Sequence, residues 1–364
     1  MGTGGVHLLE TVQRFSDNQI TNKQGTAMWY VFGVDQVVNR LQVQDVNREA
    51  SAMQLIMFTG SANVPLAAAV AEQLGVPLGS RFVHRFPDGE LHVELQESVR
   101  GHDVYLIQST SPPVEAHLLE LWFLADACRR AGAAHLTALV PYFGYARQDR
   151  RASGREAVGA RLIADLFAAS GLQRLVAVDL HSAPLEGFFS IPVEHLSAVP
   201  RLAEAVRPLI PTNAVVVAPD LGAVKLAERY ARCLHLPMAI VDKERLTGEE
   251  VRVRRVVGRV EGCPVLVVDD MISTGGTVQA AIQALLAVGC APEVTVAASH
   301  ALLVGPAVER LRALPVRRLL ATDSVAAPAH LPLPVHGVSL APLLAEAIQR
   351  LHHQQSLGDL ILHA

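Results

Sequence analysis

Val265-Leu266-Val267-Val268-Asp269-Asp270-Met271-Ile272-Ser273-Thr274-Gly275-Gly276-Thr277 is the segment from which the rest of the chain can be read. Its first four residues are apolar and mostly β-branched, the composition of a strand buried on both faces. Asp269 and Asp270 follow at the expected carboxyl end of that strand. Ser273 to Thr277 forms a loop of small residues, and the pattern from Val278 predicts a helix. In open α/β sheets ligands bind beyond the carboxyl ends of the strands. A Gly-rich turn opening a helix aims backbone N–H groups and the positive end of the helix dipole at an anion. The hydroxyls of Ser273, Thr274 and Thr277 add donors. The segment therefore predicts a phosphate cradle beside two acids that can accept from sugar hydroxyls or hold a divalent cation.

The surrounding composition narrows the classes. With 364 residues the chain has room for about two domains. A formal charge of −4 argues against a nucleic-acid partner, which would need a basic face. The four cysteines, Cys128, Cys233, Cys263 and Cys290, are widely spaced without a Cys-x-x-Cys pair. That spacing fits a reducing cytoplasm better than a zinc site or a disulfide framework. No apolar run reaches the roughly 18 residues of a membrane span. The start of the chain lacks the pattern of a secretory signal.

Residues 1–52 are rich in Gln and Asn and read as a poorly ordered extension. From Gln54 onward, predicted strands alternate with helices of ten to fifteen residues, the signature of parallel α/β sheets. Strand, acid or amide, then a Gly-containing turn occurs in both halves. The expected organisation is a first α/β domain over 53–200, a second over 201–352 that carries the Gly-Gly loop, and a tail over 353–364.

Three further groups fall at expected strand ends. Arg85-Phe-Pro-Asp88-Gly89-Glu90 is a turn between two strands. It also offers Asp88 and Glu90 as acceptors for a purine amino group or a ribose. Tyr145-Ala-Arg147-Gln148-Asp149-Arg150-Arg151 sets aromatic residues beside guanidinium groups suited to bidentate phosphate contact and base stacking. A solvated charged loop has the same composition. In Asp179-Leu180-His181-Ser182 the histidine is either a satisfied core residue or a ligand for a divalent metal or its water. Asp220 ends the matching strand of the second half and could supply a carboxylate to the same ion.

Taken in order, Phe86-Pro-Asp-Gly-Glu90, Tyr145-Ala-Arg-Gln-Asp149, Asp179-Leu-His181 with Gly187-Phe-Phe189, Pro219-Asp220, Asp242-Lys243-Glu-Arg245 and Asp269-Asp-Met-Ile-Ser-Thr-Gly-Gly-Thr277 resemble the ribose-phosphate diphosphokinases, from about Met53 to about Leu351. The resemblance implies two type I phosphoribosyltransferase-like domains, each a mainly parallel sheet flanked by helices. It implies transfer of a diphosphoryl group from ATP to ribose 5-phosphate, with Mg2+ as cofactor. Asp88, Glu90, Arg147 and Gln148 match ATP-binding positions, and His181 and Asp220 match the metal site. Lys243 matches the catalytic lysine and Arg245 its neighbour on a mobile loop. Asp269, Asp270, Ser273, Thr274, Gly275, Gly276 and Thr277, with Arg245, match the ribose-5-phosphate site. A cytoplasmic homo-oligomer, a hexamer with ATP at a subunit boundary, is also implied.

Some positions depart from the family pattern. Ser273 stands where many members carry Asp, Leu185 where Gln is frequent, and Glu244 where a basic residue is frequent. Two rival functions share the central motif: a phosphoribosyltransferase that consumes the same product, and a silent regulatory homologue. The absence of Gly-x4-Gly-Lys-Ser/Thr disfavours a P-loop kinase.

Overall fold

The computed structural model describes residues 53–151, 153–245, 251–326, 333 and 335–361, without the side chains of 243–245 and 251–254. The extension expected over 1–52 lies outside the described residues.

The first sheet has five strands: β1 (Leu55–Thr59), β4 (Asp103–Ile107), β5 (His135–Val140), β6 (Arg174–Val178) and β7 (Val193–Leu196), in that spatial order. All neighbours are parallel. A separate antiparallel hairpin pairs β2 (Arg81–Arg85) with β3 (Leu91–Leu95) around Pro87-Asp88-Gly89. The second sheet has seven strands in the order β10-β9-β8-β11-β12-β13-β14. These are β8 (Val215–Ala218), β9 (Met238–Arg245), β10 (Val251–Val257), β11 (Val265–Ile272), β12 (Val294–Ala301), β13 (Val316–Thr322) and β14 (Val335–Val338). Only the β9–β10 pair is antiparallel.

Period-two alternation sends successive residues of each strand into different cores. In β1, Met57 joins one cluster and Phe58 another; in β4, Tyr105 and Ile107 separate from Val104 and Leu106 in the same way. Helices α2 (Val114–Arg130) and α3 (Gly159–Ala169) cover the outer face of the first sheet. Helices α6 (Gly276–Ala287) and α7 (Ala307–Arg312) cover the outer face of the second. Between the sheets lies a shared layer of α1 (Val64–Leu74), α4 (Val199–Val206), α5 (Val224–Leu234) and α8 (Ala341–His352). Leu66, Leu202, Tyr230 and Ile348 are buried together there. The two domains therefore share one apolar core, and burial of that size is the main force holding them together.

The chain also returns on itself. α8 packs on α1, and His352 Nδ1 lies 2.8 Å from Asp103 Oδ2 in β4. Residues 353–361 continue to the free edge of the first sheet, where the Ser197 N–H donates to the Leu360 carbonyl at 3.1 Å.

Several local expectations shift. The sequence from Leu175 to His181 reads as a strand, but β6 ends at Val178, because Asp179 takes φ 39, which no strand accommodates. The sequence from Arg155 to Ser170 reads as a helix, and the helix starts only at Gly159. β7, α4 and α7 are short elements that periodicity did not reveal. Leu185 is fully buried in the outer core of the first domain, so that position packs rather than binds.

Candidate functional site

Strand order locates the crevice. From β8 the chain runs outward through β9 and β10, whereas from β11 it runs the other way through β12 to β14. The reversal between β8 and β11 is the switch point at which open sheets leave room for a ligand. Pairing sharpens this. β8 stays beside β11 only as far as Val267, while β12 accompanies β11 to Ile272. Asp269 and Asp270 thus lie inside β11 rather than beyond it, on a stretch whose β8 side is open.

The two carboxylates have opposite environments. Asp269 accepts the Asp270 N–H at 3.0 Å. Burial, and then the charges of Asp270 and Asp220, hold its carboxyl well above the usual range. Asp270 is half-buried, and its desolvation alone would raise it. The hydrogen bond and charge of His181 win, and it sits below the usual range. His181 Nδ1 lies 2.7 Å from Asp270 Oδ2, and that hydrogen bond raises the imidazole above its ordinary value against a partial desolvation that opposes it. This contact joins the two halves of the chain, since His181 follows β6 and Asp270 belongs to β11.

After β11, the chain turns through Gly275 at φ 75 into α6. A residue with a Cβ is strained at that backbone angle. Thr274 presents its carbonyl to Arg310 Nη1 at 3.1 Å. Among the described residues the hydroxyls of Ser273, Thr274 and Thr277 make no hydrogen bond, and the first amides of α6 have no helical partner. The turn is thus an open set of donors at a helix N-terminus.

Asp220, following β8 across the switch point, caps the next turn by accepting the Gly222 and Ala223 N–H groups at 3.0 and 3.2 Å. Arg147 and Gln148 are exposed after β5, and the charge of Arg147 reaches His181. Asp149 Oδ2 accepts the Ser182 hydroxyl at 2.9 Å, tying the arginine loop to the histidine turn. Lys243 and Arg245 lie on the part of β9 that runs past the end of β8, at the same edge of the sheet; their side chains lie outside the described residues. Asp88 and Glu90 are exposed on the hairpin, where Asp88 Oδ1 accepts the Glu90 N–H at 3.1 Å. No hydrogen bond or ion pair among the described residues joins them to the His181 cluster. Nor do the described residues contain a group of three His, Cys, Asp or Glu drawn together as metal ligands.

Other residues escaped the sequence reading. Phe82, His84, Phe86 and His92 form a ladder of rings on the hairpin, with centroids 4.7 to 5.4 Å apart and Phe86 43% exposed. The alternation Phe82-x-His84-x-Phe86 is the signal that puts them on one face. His300, Ser299, His195 and Ser324 are buried polar residues near the His181 turn, and no local pattern marks them.

A crevice with paired acids and a Gly-Gly helix start at a switch point defines the phosphoribosyltransferase class, and a phosphoribosyl transferase domain model matches residues 198–317. Residues 55–171 match the N-terminal domain of ribose phosphate pyrophosphokinase. A ribose-phosphate pyrophosphokinase of Staphylococcus saprophyticus is 41% identical over 319 residues, 86% of this chain and 99% of the relative. One from Caldanaerobacter subterraneus is 43% identical over 308 residues, 84% of this chain and 97% of the relative. A crystal structure of phosphoribosylpyrophosphate synthetase from Mycobacterium smegmatis superposes with a TM-score of 0.77 at 36% identity, covering 83% of this chain and 99% of that one. The chain belongs to the ribose-phosphate pyrophosphokinase family.

Proposed function

We propose that this chain carries the family reaction at the crevice between β8 and β11, with residues of both domains. The anomeric hydroxyl of ribose 5-phosphate attacks the β-phosphorus of ATP, keeping its bond to C1 and releasing its proton to solvent. The bond from that phosphorus to the α–β bridging oxygen breaks, and 5-phosphoribosyl 1-diphosphate and AMP leave. The observation that carries the reading is the His181–Asp270 contact, which brings the nucleotide-side turn against the acids beside the sugar-phosphate loop.

The roles follow from chemistry. The open hydroxyls and helix-start amides of Ser273 to Thr277 suit the 5-phosphate. Asp269 and Asp270 suit the ribose hydroxyls. Arg147 and Gln148, with Asp88 and Glu90 on the hairpin, suit ATP, and the exposed Phe86 ring offers a face for the base. Lys243 and Arg245 suit the charge that grows on the transferring phosphoryl group.

Mg2+ fits this donor set. Burial, and after it the charges of Asp270 and Asp220, raise Asp269, and a divalent cation would relieve the repulsive part. Mg2+ keeps several waters and takes few protein ligands when substrate phosphates complete its shell, so a site without three clustered protein ligands suits it. His181 and Asp220 would hold it, directly or through water. When bound, it would neutralise phosphate charge. The surface carries two exposed apolar pairs on neighbouring helices, Leu119 with Phe123 and Leu162 with Leu166. They support a homo-oligomer, for which we favour a hexamer in the cytoplasm.

Purified protein given ATP, ribose 5-phosphate and Mg2+ should form AMP, and chelation should stop it. A preparation that forms no AMP rejects the reaction. Lys243→Ala should lower turnover by about 10²–10³, the scale of a single preorganised electrostatic donor; unchanged turnover removes the lysine from the mechanism.

A further inference from the structure

The His181–Asp270 contact requires one backbone turn to be held still. Val178-Asp179-Leu180-His181 leaves β6 with Asp179 at φ 39, a conformation that costs a non-glycine residue energy and persists only where surroundings impose it. Those surroundings can be named. From the same domain, His195 Nε2 accepts the Leu180 N–H at 2.8 Å. Its Nδ1 must then carry the proton, and it donates to Glu186 Oε1 at 2.7 Å. From the other domain, His300 Nε2 lies 3.1 Å from the Val178 carbonyl and 3.2 Å from the Asp179 carbonyl. Both partners are acceptors, so Nε2–H is the donor and Nδ1 accepts the Ser324 hydroxyl at 2.8 Å. The Asp179 carboxylate is fastened as well, by the Ser197 hydroxyl at 2.9 Å, the Ala198 N–H at 3.1 Å and the Ser299 hydroxyl at 2.5 Å.

His300 and Ser299 belong to β12, and His300 is in register with Met271 of β11. The carbonyl clamp is therefore built on the strand beside the one that carries Asp270, one residue along from it. His300 is 2% exposed and His195 2% exposed, and neither faces the crevice as a free group. Tyr142 meets the His300 ring edge-on at 5.2 Å and closes that side.

We infer that His300 is a positioning residue: by gripping the two carbonyls of the first-domain turn from the second domain, it sets His181 against Asp270. His195 completes the grip from the opposite side. This inference rests on the proposed reaction, in which His181 takes part.

The test is a double-mutant cycle. His300→Leu keeps bulk and removes the donor. We expect turnover to fall about 10²-fold, with KM for ribose 5-phosphate changed less than about threefold, since the effect falls on a transition-state arrangement rather than on sugar binding. His300→Gln, which keeps an N–H, should recover most of the turnover. In a His181→Ala background, His300→Leu should cost less than about threefold more, because residues acting through one another are not additive. The inference is overturned by turnover within about threefold of wild type in a folded His300→Leu protein, or by the full loss recurring without His181. Thermal melting checks folding. Should leucine fail to fold, His300→Met takes its place in the same cycle; if neither apolar variant folds, His300 is structural and the inference is lost. A wild-type protein that forms no AMP rejects the reaction instead, which keeps the two failures apart.

Discussion

Two strand–loop–helix segments of this chain resemble each other in sequence and differ in what their loops do. One is β1 with Thr59-Gly60-Ser61-Ala62-Asn63 and α1; the other is β11 with Ser273-Thr274-Gly275-Gly276-Thr277 and α6. Both offer small residues and hydroxyls at a helix start. In the first, every side chain is spent internally. The Thr59 hydroxyl donates to the Gly60 carbonyl at 2.8 Å, and Ser61 donates to the buried Glu120. Asn63 caps α1 through the Leu66 N–H at 3.3 Å and donates to the Asp323 carbonyl at 2.6 Å. Gln108 reaches across to the Ala62 N–H at 3.1 Å and to Glu120 at 3.0 Å. In the second loop the hydroxyls are unbonded among the described residues, and a switch point opens beside them. Saturated donors hold a fold together; open ones are available to a ligand.

That contrast can be broken by experiment. Gly275→Val puts a β-branched residue at φ 75. We expect kcat/KM for ribose 5-phosphate to fall by at least about 10², on the scale of losing a preorganised donor, with a stability loss of about 1–2 kcal/mol from backbone strain. Gly60→Ala should do the reverse. Its Cβ would lie 2.2 Å from the Gln108 side chain, so Gln108 must move and Glu120 loses a donor. Overpacking of this kind costs about 1–3 kcal/mol, visible in denaturant melts, while activity per folded molecule stays near wild type. A Gly60 variant that binds ribose 5-phosphate poorly would erase the distinction between the loops. Asn63→Ala should cost about 1 kcal/mol as a lost helix cap, read in the same melts, with kinetics unchanged.

The smallest effect concerns pH. Burial holds His300 below its ordinary value. Below the unfolded value, near about 6.5, the unfolded chain takes up a proton that the folded chain refuses. Stability from this group is complete above that pH and declines as pH falls below it. His300→Gln should flatten that part of the melting profile; an unchanged slope would assign it to other groups.

Much of this was written in local sequence. The β-branched run at Val265–Val268, the acids after it and the Gly-Gly turn are short-range signals, and they point to the α/β class and to the loop we propose for the sugar phosphate. Elements of four to eight residues, β7, α4 and α7, escaped because they cover too few periods for a pattern to emerge. β6 ends at Val178, short of His181, because Asp179 leaves the strand under tertiary contacts. Leu185 read as a departure from a family pattern in which Gln is frequent, and its side chain is fully buried in the outer core of the first domain.

The chemical class of this chain is legible locally, because paired acids, arginines and a Gly-rich turn are patterns of near neighbours. Which of two similar loops stays open, and that His181 meets Asp270, is set by packing at long range. Those outcomes depend on partners 89 or more residues away in some cases, such as Asp270 for His181 and Asp323 for Asn63. Hydrogen bonding between such partners is fixed by how two sheets pack around a shared core, and no local window contains that information.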